Sequence, residues 1–164
     1  MNERFVEILL YGEKIQAELD GSDEFITYEP VAEKSVYDDY KKILQRLIPL
    51  NDEWKRIVKN LKFENIVKIN MIEYEQIAVY FIYRHFLTSV YDRDIISRIK
   101  LTIIFCLTIL WISDYSYSIA EKACLVSKEI EYCSENIDLL LDFSYTEKCM
   151  STPCLLAVLL NKTL

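Results

Sequence analysis

The densest apolar stretch of the chain covers residues 72–112 and is interrupted at its middle by Asp92, Arg93 and Asp94. Its halves read IEYEQIAVYFIYRHFLTSVYD and IISRIKLTIIFCLTILWI. Each is long enough for a helix and hydrophobic on most of its circumference, a pattern that belongs inside a bundle or a membrane. The run from Leu101 to Ile112, 12 residues between Lys100 and Asp114, is shorter than the roughly 20 needed for a membrane span. The two halves are therefore expected to form neighbouring helices, 72–91 and 94–113, enclosed by the rest of the chain.

The other segments are amphipathic. Phe5, Ile8, Leu9, Gly12, Ile15 and Leu19 recur at spacings of three and four, predicting a helix over 2–19 that Asn2 would cap and Gly21 would end. Residues 23–34 have no such rhythm and read as an extended connector. Ser35, with Asp38 three residues on, resembles a capping box, and Tyr37, Tyr40, Ile43, Leu44, Leu47 and Ile48 form the apolar face that follows until Pro49. Asn51 is a good N-cap for a short helix burying Trp54, Ile57, Val58 and Leu61. A second irregular link covers 62–70; Phe63, Ile66, Val67 and Ile69 suit either a helix or an extended strand, and Asn70 would cap the central helix. Ser97, Thr102 and Thr108 are expected to bond their hydroxyls back to the preceding turn. Further on, Ile119, Ala123, Val126 and Ile130 share a face. Ser134 and Glu135 open a helix through Ile137, Leu140, Leu141 and Phe143, and Ser151 or Thr152 caps a last one with Pro153 at its first position. The reading is a single all-α domain over 1–164, an irregular helical bundle of about seven helices around a central apolar helix pair.

Composition narrows this further. Two glycines and three prolines in 164 residues are too few for the turns of a sheet protein. With 52% hydrophobic residues the chain can bury a core without metal or disulfide help. A net charge of −7, with no Lys/Arg-rich run, excludes binding nucleic acid by phosphate neutralisation. Cys106, Cys124, Cys133, Cys149 and Cys154 show no C-x-x-C spacing and there is one His, so no metal site is expected. The N-terminus has no long apolar run of an export signal, and the thiols read as reduced, cytoplasmic and packed as small hydrophobes.

Candidate chemistry is sparse. Glu75, Tyr83, Arg84 and His85 form the candidate polar cluster of the first apolar helix, and Tyr83 and His85 lie about 200° apart around its axis. These groups do not share one face. An arginine on an apolar helix must be paired. Glu129 and Glu131 are the candidate partners for a structural ion pair, the alternative being that Arg84 clamps a carboxylate or other anion. A buried pair of this kind makes truncation of Arg84 cost about 3–5 kcal/mol through the stranded charge. His85 is either a hydrogen-bonded packing residue or a catalyst, but no second His or adjacent nucleophile builds a triad around it. Tyr74, Tyr80, Tyr83 and Tyr91 either fill interhelical space or line a site for a lysine or methylammonium group. Two glycines exclude a Gly-rich nucleotide loop, and no H-E-x-x-H is present.

The string Glu75-Gln76-Ile77-Ala78-Val79-Tyr80-Phe81-Ile82-Tyr83-Arg84-His85-Phe86, followed by Asp92 and Ser97-Arg98-Ile99-Lys100, resembles the C-terminal region of the flagellin lysine-N-methylases, where ENYLVYFIYRYF, an Asp-containing turn and SKVK occur in the same order. Ser127-Lys128-Glu129-Ile130-Glu131-Tyr132 and Ser134-Glu135-Asn136 are similar to that family's SREIEHSxxN, and Asn51-Asp52-Glu53-Trp54 to its NxEW. The likeness covers roughly 40–160. It implies S-adenosylmethionine-dependent methylation of flagellin lysines in the bacterial cytoplasm, carried out by longer proteins with an N-terminal cysteine cluster that nothing here matches. His85, Lys128 and Tyr132 stand where the family has Tyr, Arg and His. What the resemblance implies for this chain is a helical C-terminal module, truncated or free-standing. It would dock substrate or support structure without its own methyl transfer and would hold no cofactor itself. A reading from another class is a non-enzymatic interaction or oligomerisation module, with a homo-oligomer among its outcomes.

Overall fold

A computed structural model describes residues 2–22, 26–31, 35–63, 71–114 and 116–160. All regular structure among them is helical. The elements are α1 (Asn2–Leu19), α2 (Val36–Arg46), α3 (Asp52–Lys59), α4 (Met71–Phe86), α5 (Ser89–Asp92), α6 (Ile95–Trp111) and α7 (Ile119–Val126). A π-helical turn (Ser127–Glu131) then leads into α8 (Ser134–Thr146), and a 3₁₀ turn (Lys148–Met150) precedes α9 (Thr152–Leu159).

 

The hydrophobic pattern explains most of these segments. In α6, 14 of 17 residues are buried, because α1, α4, α7 and α8 all pack around it. Gly12 lets α1 approach closely, and the Ile99 side chain occupies the space that a Cβ there would need. Asp94 caps α6, its Oδ1 accepting from Ser97 N at 3.1 Å. The Thr102 and Thr108 hydroxyls donate to Arg98 O and Ile104 O at 3.1 and 2.7 Å, whereas the Ser97 hydroxyl donates to Asp94 instead of the preceding turn. Asn51 caps α3 through Trp54 N at 3.0 Å, and Ser118 with Glu121 forms a full capping box at α7. Ser35 makes no capping bond because its backbone is already helical. Ser151 also makes none, and Thr152 donates to Glu13 of α1, which ties α9 (Thr152–Leu159) to the first helix.

The central pair is adjacent, but only one member is enclosed. α4 buries Tyr74, Ala78, Phe81 and His85 against α6, while its opposite face stands in solvent: Val79 is 59% exposed, Tyr83 71% and, beyond the helix end, Val90 73%. The expectation of two enclosed helices is corrected here, because the chain supplies no described helix to cover that side. The predicted 72–91 helix is also divided. Thr88 and Ser89 donate their hydroxyls to His85 O and Phe86 O, both at 2.6 Å, and tighten the chain between α4 and α5. Arg93, with φ 60°, then ends α5 in a left-handed residue.

The connectors 23–34 and 62–70 are described only in part. Residues 26–31 run over the surface without regular structure, Tyr28 OH donating to Glu13 Oε2 at 3.0 Å and Val31 N to Pro153 O at 3.0 Å. Phe63 packs in a ring cluster with Tyr37 and Trp111; Ile66, Val67, Ile69 and the expected Asn70 cap lie outside the described residues. Among the described residues no helix is long and apolar enough to cross a membrane. All five cysteines are free thiols, with Cys106, Cys149 and Cys154 buried and Cys124 exposed.

Candidate functional site

The π-helical turn at Ser127–Glu131 organises the most concentrated polar cluster. A widened turn inserts a residue relative to a continuous α-helix, so the side chains after it are rotated about the axis. Glu129 and Glu131, two residues apart and so on roughly opposite sides of the axis, serve different elements. Glu129 is buried and its Oε2 accepts from Leu50 N at 2.8 Å, where the chain passes from α2 to α3. Asn136, fully buried, clamps the same linker, accepting from Ile48 N at 2.7 Å and donating to Ile48 O at 3.0 Å.

Glu131 turns the other way, toward α4. Its side chain is only 1% exposed, and its Oε1 meets Arg84 Nε at 2.8 Å and His85 Nε2 at 2.9 Å. Ser127 donates to its other oxygen. With the carboxylate ionised, Nε2 is the His85 nitrogen that carries hydrogen. Burial pushes the Glu131 carboxyl upward, but the hydrogen bonds from His85 and Ser127 and the nearby charges outweigh it, leaving the group below the usual carboxylate range. His85 itself is sandwiched by rings, 6.5 Å from Phe81 and 5.3 Å from Phe105.

Of the six residues singled out from sequence, the structure joins three: Arg84, His85 and Glu131. Glu129 faces the α2–α3 linker. Glu75 pairs with Arg4 of α1 near the surface, and Tyr83 points into solvent. The placement of Arg84 alters the picture of a deeply buried cation, for its side chain is 47% exposed and lies 6.0 Å from the Tyr80 ring.

A second polar network escaped the sequence reading. Lys100, inside the apolar α6, has its Nζ 3.4 Å from Ser144 O and 3.8 Å from Glu13 Oε1. Glu13 also accepts from Tyr28 and Thr152. Lys100 was read only as the boundary of the apolar run inside the expected 94–113 helix, although a lysine next to such a run on a buried helix was itself the signal of a buried network. Burial lowers the Lys100 pKa, and the charges of Glu13 and Asp94 compensate only in part. A lysine with a depressed pKa in the folded state subtracts stability at neutral pH and regains it as pH rises toward the unfolded value. Replacing both members of the pair, Lys100→Met with Glu13→Gln, is therefore expected to be neutral to stabilising by up to about 1 kcal/mol at pH 7. Urea denaturation checks this, and a loss above about 1 kcal/mol would show that the Glu13 pair is a net stabiliser.

Two surface depressions flank these networks. One, of about 440 Å³, lies along α1 beside Ile26 and Tyr28. The other, of about 390 Å³, is a shallow groove between α4 and α7 lined by Glu73, Gln76, Tyr80, Phe81, Cys124 and Ser127 among others. Among the described residues no group of three His, Cys, Asp or Glu side chains is placed to hold a metal ion. No protein-family model matches the chain, none of the curated proteins matches it, and no solved structure does.

Proposed function

We propose that the chain is a non-catalytic, protein-binding helical module whose working surface is the outer face of α4 and α5 with the adjoining α4–α7 groove. The observation that carries this reading is the row of large apolar side chains left in solvent along that face. Scattered exposed hydrophobics are ordinary, but a contiguous patch marks an interaction site. The polar cluster supports the same conclusion: Glu131 spends both oxygens on three internal partners, and Arg84, already neutralised by it, is poorly suited to clamp a further anion.

The resemblance to flagellin lysine-N-methylases adds a partner class, a lysine-bearing protein such as flagellin in the cytoplasm, and the net charge of −7 favours docking of a basic surface. On this reading the module docks and does not transfer methyl groups. Calorimetric titration with S-adenosylmethionine is expected to show no binding; saturable heat would overturn the non-catalytic assignment. At high dilution the apolar dye bis-ANS is expected to bind the native chain and to lose most of its binding in the V79E/Y83E double variant. Equal dye uptake by the two proteins, at unchanged melting temperature, would remove this face as the working surface.

A further inference from the structure

The connector between α1 and α2 is lightly anchored where it is described. Residues 26–31 have no regular structure, and Pro30 keeps Glu29 extended while removing one amide donor. Ile26 and Val31 are 55% and 43% exposed, so the segment buries little. Tyr28 is its large side chain that packs against the core. Among the described residues, two hydrogen bonds hold the segment down. Tyr28 OH donates to Glu13 Oε2, and Val31 N donates to Pro153 O, each at 3.0 Å.

The anchorage converges on Glu13. Its carboxylate faces Tyr28 of the connector, Thr152 at the start of α9 and, at 3.8 Å, the ammonium of Lys100 on α6. The last two belong to the rigid side, because α6 and α9 are buried along most of their length and cannot move without opening the core. Tyr28 sits on a segment with no such packing. Its departure leaves Glu13 with Thr152 and Lys100, so the carboxylate is not stranded. The Tyr28 bond can therefore open by itself. It is also the stronger of the two tethers, a hydroxyl donating to a charged oxygen. Burial and the Glu13 charge push the Tyr28 hydroxyl up to about 12, so it stays a donor through the neutral range. Ile26 and Tyr28 form one wall of the cavity of about 440 Å³ whose other side is α1, from Leu10 to Glu18.

We propose that residues 26–31 are a strap that detaches as a unit from α1 and α9 while the helices stay folded, with the Tyr28–Glu13 hydrogen bond as its latch. Detachment removes one wall of the α1 cavity. A segment with so few buried contacts opens well below the free energy of global unfolding and exposes little new surface. Hydrogen exchange of the full chain at low urea concentrations reads this at the Val31 amide, whose acceptor Pro153 O lies on α9. Val31 is expected to exchange about a hundredfold or more faster than the amides of α6, at a rate that urea barely changes. Tyr28→Phe keeps the ring and removes the donor. It should speed Val31 exchange about tenfold or more, still without urea dependence, and circular dichroism should show the variant folded. The same change made in E13Q/K100M, which lacks the charged acceptor and its lysine partner, should speed exchange by no more than about threefold. In a background lacking Cys124 and Cys133 (C124S/C133S), A17C on the α1 wall of the cavity should react faster with a bulky maleimide once Y28F is added.

Val31 exchange that rises with urea in step with α6 overturns the proposal, because the segment then opens only with the whole domain. Exchange at the rate of an unstructured peptide overturns it too, since no closed strap would exist. A Tyr28→Phe effect below about twofold removes the latch. An equal effect in E13Q/K100M moves the latch away from Glu13. Labelling of A17C that Y28F leaves unchanged removes the strap as a wall of the cavity.

Discussion

Phe105→Ala is expected to cost about 3–5 kcal/mol, the largest loss from any single truncation considered for this chain. Phe105 is fully buried on α6, and its ring lies 5.0 Å from Phe81 and 5.3 Å from His85, both on α4. Removing it takes away the transfer free energy of the ring and leaves a cavity. α6 is packed by helices on several sides, so no one neighbour can collapse into the space without losing contacts elsewhere. Domains of this size are stable by only about 5–15 kcal/mol, so the substitution consumes a large share of the total. Val79→Ala, on the outer face of α4, should by contrast change stability by no more than about 0.5 kcal/mol in the monomer. Urea denaturation at low protein concentration measures both, the midpoint falling for Phe105→Ala at unchanged slope. A cost below about 1.5 kcal/mol for Phe105→Ala would mean that α4 and α6 are not tightly packed. Should the alanine variant fail to fold, Phe105→Leu supplies the milder member of the series.

That contrast also marks how far the sequence could be read. α6 was legible because it is apolar on every side, and a helix with no polar stripe has nowhere stable but the interior. The cap at Asn51 was legible for a local reason, since it acts on backbone three residues away; Ser118 and Asp94 cap with the same reach but were not singled out from the sequence. α4 was misread because Val79 and Tyr83 are as hydrophobic as Ala78 and Phe81, and composition does not say which side the neighbours will cover. Only the tertiary arrangement decides that.

The polar partners show the same division. Arg84 needed an acid, and the choice between Glu129 and Glu131 could not be made from spacing. A regular α-helix turns about 100° per residue, so the two glutamates fall on opposite sides, and which side meets α4 is set by how the segment with the π-helical turn packs. Glu75 and Arg4 meet across the α1–α4 boundary, and Lys100 and Glu13 across the α1–α6 boundary. Neither contact is encoded by nearby residues. The exposed side of α4, however, was present in the sequence as Val79, Tyr83 and Phe86 at helical spacing, legible once its exposure is known.

Glu131→Ala is the second large effect, expected to cost about 2–3 kcal/mol at pH 7. It deprives His85 and Ser127 of their acceptor inside the structure and leaves Arg84 without its counter-charge. The cost stays below that of breaking a fully buried ion pair because the half-exposed Arg84 can be solvated by water. The same exposure revises the expectation for Arg84 itself. Arg84→Ala should cost only about 1 kcal/mol, since Glu131 keeps two hydrogen-bond donors when the guanidinium is lost. The order Glu131 above Arg84 therefore distinguishes a carboxylate hub from a simple pair. Acid titration sharpens the test. Because folding lowers the Glu131 pKa, its contribution is fully present above the unfolded carboxylate value of about 4.3 and is lost as pH falls through the lower folded value. Wild type and Glu131→Ala should thus differ by a constant amount from pH 7 down to about 5 and converge below about 4. Stability measured by urea denaturation across that range reads the difference directly. A gap that does not narrow in acid would show that Glu131 stabilises by packing and not as a charged acceptor.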